Sequence, residues 1–338
     1  MKKITSIDLF AGVGGMRIAL NKALKKMGLD HECKLYSELN LYCQHTYDAN
    51  FSGTPLIKDI KSVKISDIDS EIPDHDILLA GFPCQPFSKA GISNRIFLKR
   101  NHGFDDKNQG NLFFNILEVL NEKKPKAFLL ENVQNLKNYN NGKALKKILK
   151  SLRKNYYVPE PEILDAKDFG LAQQRRRIYI VGFLNKDIKE FKYPKPTFKK
   201  TLISDFLDKY PKKKYTISNL LWKSHQSRKI KNIKAGKGFG FKLSYPADTH
   251  TRTISSRYFK DGGECLIYRG EGKNPRLLTP REVFRLQGFP ESFKIPVSNN
   301  QAYKQAGNAV PVKVVEKICA KIIDTLINNK KVKSKKVA

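Results

Sequence analysis

The chain has 338 residues, of which 40% are hydrophobic, so it is long and apolar enough for one large domain with a smaller one and is not a disordered chain. Its 64 basic and 32 acidic residues give a formal net charge of +32, which favours a polyanionic partner such as nucleic acid. Lysine enrichment from an AT-rich genome is the alternative source of part of this charge.

Cysteine and histidine usage indicates neither a disulfide framework nor a metal site. None of the five cysteines falls in a CxxC pair, and the six histidines lack the spacing of metal ligands. No stretch reads as a signal peptide or as a membrane span. We therefore expect a soluble cytoplasmic protein with no membrane partner.

The first half of the chain alternates between strand-like and helix-like segments. Strands are predicted at 3–9, 76–80, 127–130 and 177–183, and helices at 15–27, 111–122 and 142–154. This alternation predicts a parallel sheet wrapped by helices.

The pattern changes after residue 183. A lysine-rich segment broken by prolines resembles a linker, and the basic, glycine-containing region up to about residue 276 suggests a smaller domain of irregular or β character. An amphipathic helix is predicted after Pro311, and residues 331–338 are expected to form a disordered basic tail.

A glycine loop, Asp8–Gly15, follows the first strand and opens a helix, as in sites for nucleotide-like cofactors. The dinucleotide pattern GxGxxG is not met because Arg17 occupies the last glycine position, so a tight turn without a ligand stays the alternative. Glu38 and Asp59 follow strands, where they suit ribose and adenine recognition, or are ordinary surface acids.

Cys84 lies between two prolines directly after the strand at 76–80. Ligands bind beyond the carboxyl ends of parallel strands, and a rigid loop there presents a nucleophile; a buried, inert cysteine in a turn is the alternative. Glu131 is expected at the same edge, with a raised pKa if buried. Arg175 and Arg177 are expected to share one face of a strand, with Arg176 pointing oppositely into solvent.

Together these motifs resemble the cytosine carbon-5 DNA methyltransferases of the bacterial modification type. The similarity runs through nearly the whole chain, in the family's order, at 8–15, 81–88, 131–133, 173–179, 276–282, 285–290 and 305–311. It implies a Rossmann-like α/β domain dependent on S-adenosylmethionine, with a mostly parallel sheet and helices on both faces, formed by residues 1–190 and 302–330. A smaller, irregular or β-rich target recognition domain would span 191–301, and the helix after Pro311 would pack beside the first helix.

The resemblance also implies a mechanism on double-stranded DNA. The Cys84 thiolate would attack carbon 6 of a flipped cytosine, and Glu131 would protonate ring nitrogen 3 or bond to it. Arg177, with Arg175 carried over beside it, would hold the ring oxygen. Implied cofactor contacts are Phe10, Ala11, Gly12, Gly14, Gly15, Glu38, Asp59, Ile60, Pro83 and Asn308. Implied DNA contacts are Gln85, Ser88, Arg95, Lys99, Arg100, Arg252 and Arg257, with Thr251 and Thr253 as further groove-facing candidates.

The chain departs from the family pattern at two places. The loop at 92–102 is longer and more basic than in compact members, and Gln109 stands where the family usually has arginine.

Two other functions stay open. A transfer RNA cytosine methyltransferase shares these motifs, and a catalytically silent DNA-binding protein is the alternative from another class. A cognate restriction endonuclease acting separately would fit a modification enzyme, and binding to DNA would associate the protein with the nucleoid.

Overall fold

The computed structural model describes residues 3–83, 112–184, 186, 188, 190–237 and 240–336, with side chains up to residue 329. Seven strands form one sheet in the order β3-β2-β1-β4-β5-β7-β6. These are β1 (Ile4–Leu9), β2 (His31–Ser37), β3 (Leu56–Ile57), β4 (Ile77–Gly81), β5 (Ala127–Val133), β6 (Glu162–Asp165) and β7 (Arg176–Phe183). Strands β3, β2, β1, β4 and β5 pair in parallel, whereas β7 runs antiparallel to β5.

Helices connect these strands, as the alternating sequence predicts. They are α1 (Gly15–Lys26), α2 (Leu41–Asn50), α3 (Ile68–Glu71), α4 (Leu112–Lys123) and α5 (Lys143–Leu152). The central strands are buried because β4 and β5 carry continuous apolar runs, at 77–80 and 127–130, that are at most 1% exposed. Close packing persists into β7, where a Cβ on Gly182 would lie 2.2 Å from Phe128.

Strand β5 extends three residues beyond its predicted end. Glu131 therefore lies within the strand, paired with Gly81 of β4 on one side and Tyr179 of β7 on the other. Neighbouring strands thus fix the backbone at Glu131.

The described residues group into two compact units. One lies within 1–164, 176–195 and 314–338, and the other within 165–175 and 196–313. The predicted domain division differs, because it placed 165–175 and 302–313 with the first unit. Tyr303 donates a hydrogen bond to the carbonyl of Leu278 at 2.6 Å, and Gln287 donates to the carbonyl of Ala306 at 2.9 Å, which ties the later segment to the second unit.

The second unit is largely irregular, which is one of the two characters predicted for this region, with two short strands and more helix than expected. Its elements are α6 (Asn219–Lys234), β8 (Leu243–Ser244), β9 (Leu266–Ile267), α7 (Pro280–Leu286) and α8 (Asn299–Asn308). The Ser218 hydroxyl caps α6 by accepting from the Leu221 amide at 3.2 Å. Only His225 of α6 is buried, so the helix lacks the apolar periodicity by which a sequence reveals one.

The last helix, α9 (Val312–Lys336), begins directly after Pro311 as predicted. An ion pair between Lys26 of α1 and Glu316 of α9 confirms that the last and first helices lie side by side. The prediction of a disordered tail was wrong up to Lys336, where the helix ends. Lysine is a good helix former, and positive charge in the last turn is favoured by the helix dipole.

None of the helices in the described part of the chain has the length and apolar character that a bilayer crossing requires.

Candidate active site and cofactor site

The carboxyl ends of β1, β4 and β5 meet at one edge of the sheet, because these strands are parallel neighbours. Gly81 ends β4 at this edge. A Cβ built on it would lie 3.7 Å from Glu131 Oε2 and 4.0 Å from Met16 Cε, which are ordinary contact distances. The start of α1, the end of β4 and the Glu131 carboxylate therefore lie together where an open α/β sheet binds its ligands.

Glu131 and Arg177 form an ion pair at this edge. Arg177 Nε lies 3.0 Å from Glu131 Oε1, and the two side chains are only 14% and 12% exposed. Arg177 Nη1 also donates to the carbonyl of Arg176 at 2.8 Å. The pair places a carboxyl group, which can exchange a proton, beside a guanidinium that donates hydrogen bonds and keeps its positive charge.

The chain is fixed up to Pro83, the residue before the predicted nucleophile. Asn132, which is buried, donates to the carbonyl of Phe82 at 3.2 Å and accepts from the Val133 amide at 2.8 Å through its own side-chain oxygen. Phe82 packs on Phe113 with ring centroids 6.2 Å apart. A second polar residue, directly after Glu131 at the end of an apolar run, was the sequence signal for this positioning role of Asn132.

Several predicted site residues lie outside the described residues. They are Cys84, Gln85, Ser88, Arg95, Lys99 and Arg100, together with the departure at Gln109.

The glycine loop has a left-handed conformation at every second residue from 10 to 14. Phe10, Gly12 and Gly14 have φ of 54°, 55° and 83°. A Cβ on Gly12 would meet nothing within 4 Å, so this glycine faces open space, whereas a Cβ on Gly14 would lie 2.3 Å from Phe51 Cε2. Gly12 thus leaves room for a ligand, and Gly14 allows the loop to pack on the rings below it.

Glu38 holds the loop from the end of β2. Its Oε2 accepts from the Gly12 amide and its Oε1 from the Asn40 amide, both at 2.8 Å. Burial raises the pKa of Glu38, and these hydrogen bonds oppose the rise. Each carboxylate oxygen keeps a further lone pair, so Glu38 fits ribose hydroxyls while still holding the loop.

Asp59 and Ile60 follow β3. Asp59 caps a 3₁₀ turn (Ile60–Ser62) by accepting from the Lys61 amide at 3.0 Å, and its other oxygen lies 3.7 Å from Lys61 Nζ. Ile60 is buried in the hydrophobic core. Asp59 therefore has a local structural role, and its recognition of adenine stays a prediction.

Asp8 is a buried acid beneath the glycine loop whose role the sequence did not reveal. Burial raises its pKa well above the usual value, and the Arg17 guanidinium opposes this rise. Its Oδ2 has no hydrogen-bond partner among the described residues. An acceptor buried here without a partner fits a cationic or hydrogen-bonding ligand group above it, since such groups are rarely left unsatisfied.

Arg175 has different surroundings from Arg177, which corrects its expected place beside the reacting groups. Its guanidinium is buried and donates to three main-chain carbonyls of the second unit, and β7 begins only at Arg176, so the shared strand face does not exist. Arg176 is exposed, as predicted.

The remaining predicted contacts lie in the second unit. Arg252, Arg257 and Asn308 are exposed. Thr251 is buried, with its hydroxyl 3.0 Å from that of Ser244, so the expectation that it faces a DNA groove was wrong.

Comparison with known proteins assigns the chain to a family. A family model described as C-5 cytosine-specific DNA methylase matches residues 4–324. The type II methyltransferase M.NlaX of Neisseria lactamica is 49% identical over 312 residues, covering 92% of this chain and 94% of the relative. The type II methyltransferase M.DsaV of Dactylococcopsis salina is 46% identical over 324 residues, covering 95% and 86%.

Solved structures show the same fold at lower identity. The Entamoeba histolytica methyltransferase EhMeth superposes with a TM-score of 0.75 at 22% identity, covering 97% of this chain and 99% of the other. The S. pombe Dnmt2 methyltransferase gives 0.72 at 22% identity, covering 96% and 99%. With the family match spanning both units, the chain belongs to the C-5 cytosine-specific DNA methylases, which transfer a methyl group from S-adenosylmethionine to carbon 5 of cytosine in DNA.

Proposed function

We propose that the protein is a type II modification methyltransferase that methylates one cytosine within a specific duplex sequence, with Cys84 as its nucleophile. The observation that carries this proposal is the Glu131–Arg177 pair, which lies at the strand edge beside Gly81, three residues before Cys84. Relatives at 46–49% identity that carry type II methyltransferase names favour DNA over the transfer RNA alternative. A cognate restriction endonuclease is part of the same proposal.

The proposed chemistry starts at carbon 6 of a flipped cytosine. The Cys84 thiolate bonds to carbon 6, which breaks aromaticity and moves electron density to carbon 5. Glu131, carrying a proton, donates it to ring nitrogen 3 and Arg177 donates to the ring oxygen, so the negative charge that develops on the ring is neutralised by groups already fixed in place. S-adenosylmethionine would supply the electrophilic methyl group that carbon 5 takes, and the broken sulfur–methyl bond would leave S-adenosylhomocysteine. Loss of the carbon-5 proton then expels the thiolate and restores the aromatic ring.

The proposed cofactor contacts of the first unit surround the glycine loop. Glu38 accepts from the ribose hydroxyls, Asp59 with Ile60 faces the adenine edge, and Phe10 stacks on the base. Ala11, Gly12, Gly14 and Gly15 leave the main chain close to the methionine part, and Pro83 aims the following cysteine. The contact by Asn308 is proposed from the resemblance alone.

Cytosine carbon 6 is shielded by stacking within a duplex, so the target base must leave the helix. The net charge of +32 supports binding to the phosphate backbone. Arg252 and Arg257 of the second unit, and Gln85, Ser88, Arg95, Lys99 and Arg100 of the cysteine loop, are the proposed DNA contacts.

Mechanism-based trapping tests the proposal. In duplex DNA that carries 5-fluorocytosine, fluorine replaces the carbon-5 proton and cannot be removed as a proton is. The wild-type protein with S-adenosylmethionine should therefore form an adduct that is stable to denaturant. Cys84→Ser should form none, whereas the matched control Cys43→Ser should trap normally. Bisulfite sequencing of DNA from cells that express the protein then gives the site, and labelled methyl transfer to transfer RNA instead of duplex DNA would contradict the proposal.

A further inference from the structure

Three consecutive arginines have three different environments. Arg177 pairs with Glu131, Arg176 is exposed, and Arg175 is 1% exposed. A guanidinium carries five donors and keeps its charge, so burial of Arg175 demands several well-placed acceptors.

Arg175 finds these acceptors on two separate segments of the second unit. Its Nη1 donates to the carbonyl of Ile254 at 3.0 Å, and its Nη2 donates to the carbonyls of Gly307 and Ala309 at 2.8 and 2.7 Å. Its own amide donates to Asp165 Oδ1 at 2.9 Å, which anchors the backbone of the arginine. The side chain therefore joins the segment around residue 254 to the end of α8.

Other hydrogen bonds hold the same segment. Gln173 Oε1 accepts from the Ile254 amide at 2.9 Å, and the Thr253 hydroxyl donates to the carbonyl of Gln174 at 2.5 Å. From the other side, α8 approaches so closely that a Cβ on Gly307 would lie 2.3 Å from the carbonyl carbon of Ser255. The backbone at 253–255 is therefore held on both sides.

We infer that Arg175 is a positioning residue for DNA binding, which fixes the segment 252–257 so that the exposed Arg252 and Arg257 at its two ends meet the duplex in a set geometry. The inference rests on the proposed function, which assigns these two arginines to DNA. Residues that are already ordered lose less conformational entropy on binding. The hydrogen bonds of Arg175 therefore lower the entropic cost of forming the DNA complex.

The test compares lysine substitutions at the three arginines, since lysine keeps the charge and loses the fork of donors. Arg175→Lys should weaken DNA binding about tenfold, as expected for roughly two ordered side chains, and should leave the single-turnover methylation rate at saturating DNA unchanged. Arg177→Lys should lower the single-turnover rate and leave DNA affinity unchanged. Arg176→Lys is the matched control and should change neither quantity. A normal DNA dissociation constant with a reduced single-turnover rate in Arg175→Lys would overturn the inference and make Arg175 catalytic.

A second variant reaches the same junction without touching an arginine. Gly307→Ala places a methyl group against the backbone of Ser255 and should displace the segment 252–257. Because alanine is a better helix former than glycine, the substitution should not weaken α8 itself. A loss of DNA affinity in this variant therefore comes from displacement of the segment. Melting temperatures and cofactor affinity measured for each variant identify a folding defect. Should Arg175→Lys fail to fold, Gly307→Ala alone decides the inference.

Arginine-to-alanine variants separate the two ways of failing. Loss of affinity in Arg252→Ala and Arg257→Ala with none in Arg175→Lys or Gly307→Ala refutes the positioning role. Normal affinity in both alanine variants refutes the assignment of this segment to DNA, which is a failure of the proposed function, while trapping at Cys84 stays intact.

Discussion

Glu131 and Arg177 are expected to act on the substrate ring as one unit, because their side chains already contact each other at 3.0 Å. Replacing either would remove its proposed contact to the ring and break the ion pair that positions the other group. Glu131→Gln and Arg177→Gln should each lower the single-turnover rate by roughly 100-fold or more, with DNA affinity retained.

A double-mutant cycle checks that coupling. The double variant should lose much less than the product of the two single losses, since residues that share one interaction are not additive. Glu162→Gln, at an exposed glutamate of β6, serves as the matched control and should keep the wild-type rate. Fully multiplicative losses would mean that the two side chains contribute independently.

Glycine substitutions in the cofactor loop should differ in severity. Gly14→Ala combines a positive φ of 83° with a methyl group 2.3 Å from Phe51, so it should destabilise the fold by about 2 kcal/mol or more and weaken cofactor binding. Gly12→Ala should cost the fold only its positive φ, about 1 kcal/mol, because its Cβ would meet nothing within 4 Å, although the methyl group should weaken cofactor binding by taking up the room left for the ligand. Thermal melting with and without S-adenosylhomocysteine measures both effects, and equal melting temperatures for the two variants would contradict the steric argument.

At single residues, the sequence predicted correctly where a motif residue lies in the sheet, but not which way a side chain points. Glu131 was expected at the strand edge and lies there, because a parallel sheet brings strand ends together. Arg175 was expected beside Arg177, but the strand begins one residue after Arg175, whose side chain donates to main-chain carbonyls within its own unit. Carbonyl acceptors on segments 79 and 134 residues away could not be deduced from local sequence.

His31 connects two elements of the first unit and should make its stability depend on pH. Its Nε2 lies 2.8 Å from the hydroxyl of Ser6 in β1, and its Nδ1 contacts Asn21 of α1. Burial, aided by the charge of Arg17, lowers the pKa of His31 to about 4 from an ordinary 6.5. Between these values the unfolded chain binds a proton that the folded protein does not, so stability is full above pH 6.5 and falls as the pH drops towards 4.

Urea denaturation at several pH values measures this dependence. His31→Gln should reduce the slope below pH 6.5, while His75, whose pKa burial also lowers to about 4, keeps part of it. The matched control for the substitution itself is His45→Gln, at an exposed histidine. A wild-type slope in His31→Gln would contradict the role of His31.

Whole elements were predictable where burial imposes a pattern. The strand β4, and β5 as far as Leu130, are apolar because both faces are covered, and α1 shows helical periodicity because one face is buried. The helix α6 buries one residue and so carries no such pattern. Its 16 residues had to be found from the structure, although the Ser218 cap was a local signal of its start.

At the scale of the whole molecule, the +32 charge should appear in the salt dependence of DNA binding. The logarithm of the affinity falls by about 0.9 for each neutralised phosphate per tenfold increase in salt. The basic loop at 92–102 carries three of the proposed DNA contacts, Arg95, Lys99 and Arg100. Replacing all three by serine should reduce this slope by up to roughly 3 units if each binds one phosphate.

The control must remove equal charge from a place with no proposed DNA contact. The exposed lysines of α5, Lys143, Lys146 and Lys150, provide it, and their replacement by glutamine lowers the net charge by the same amount. A slope that changes only in the loop variant shows that specific contacts, and not the overall charge, set the affinity. Equal changes in both variants would mean that the excess lysine acts as a diffuse field, and an unchanged slope in the loop variant would remove the loop from the DNA interface.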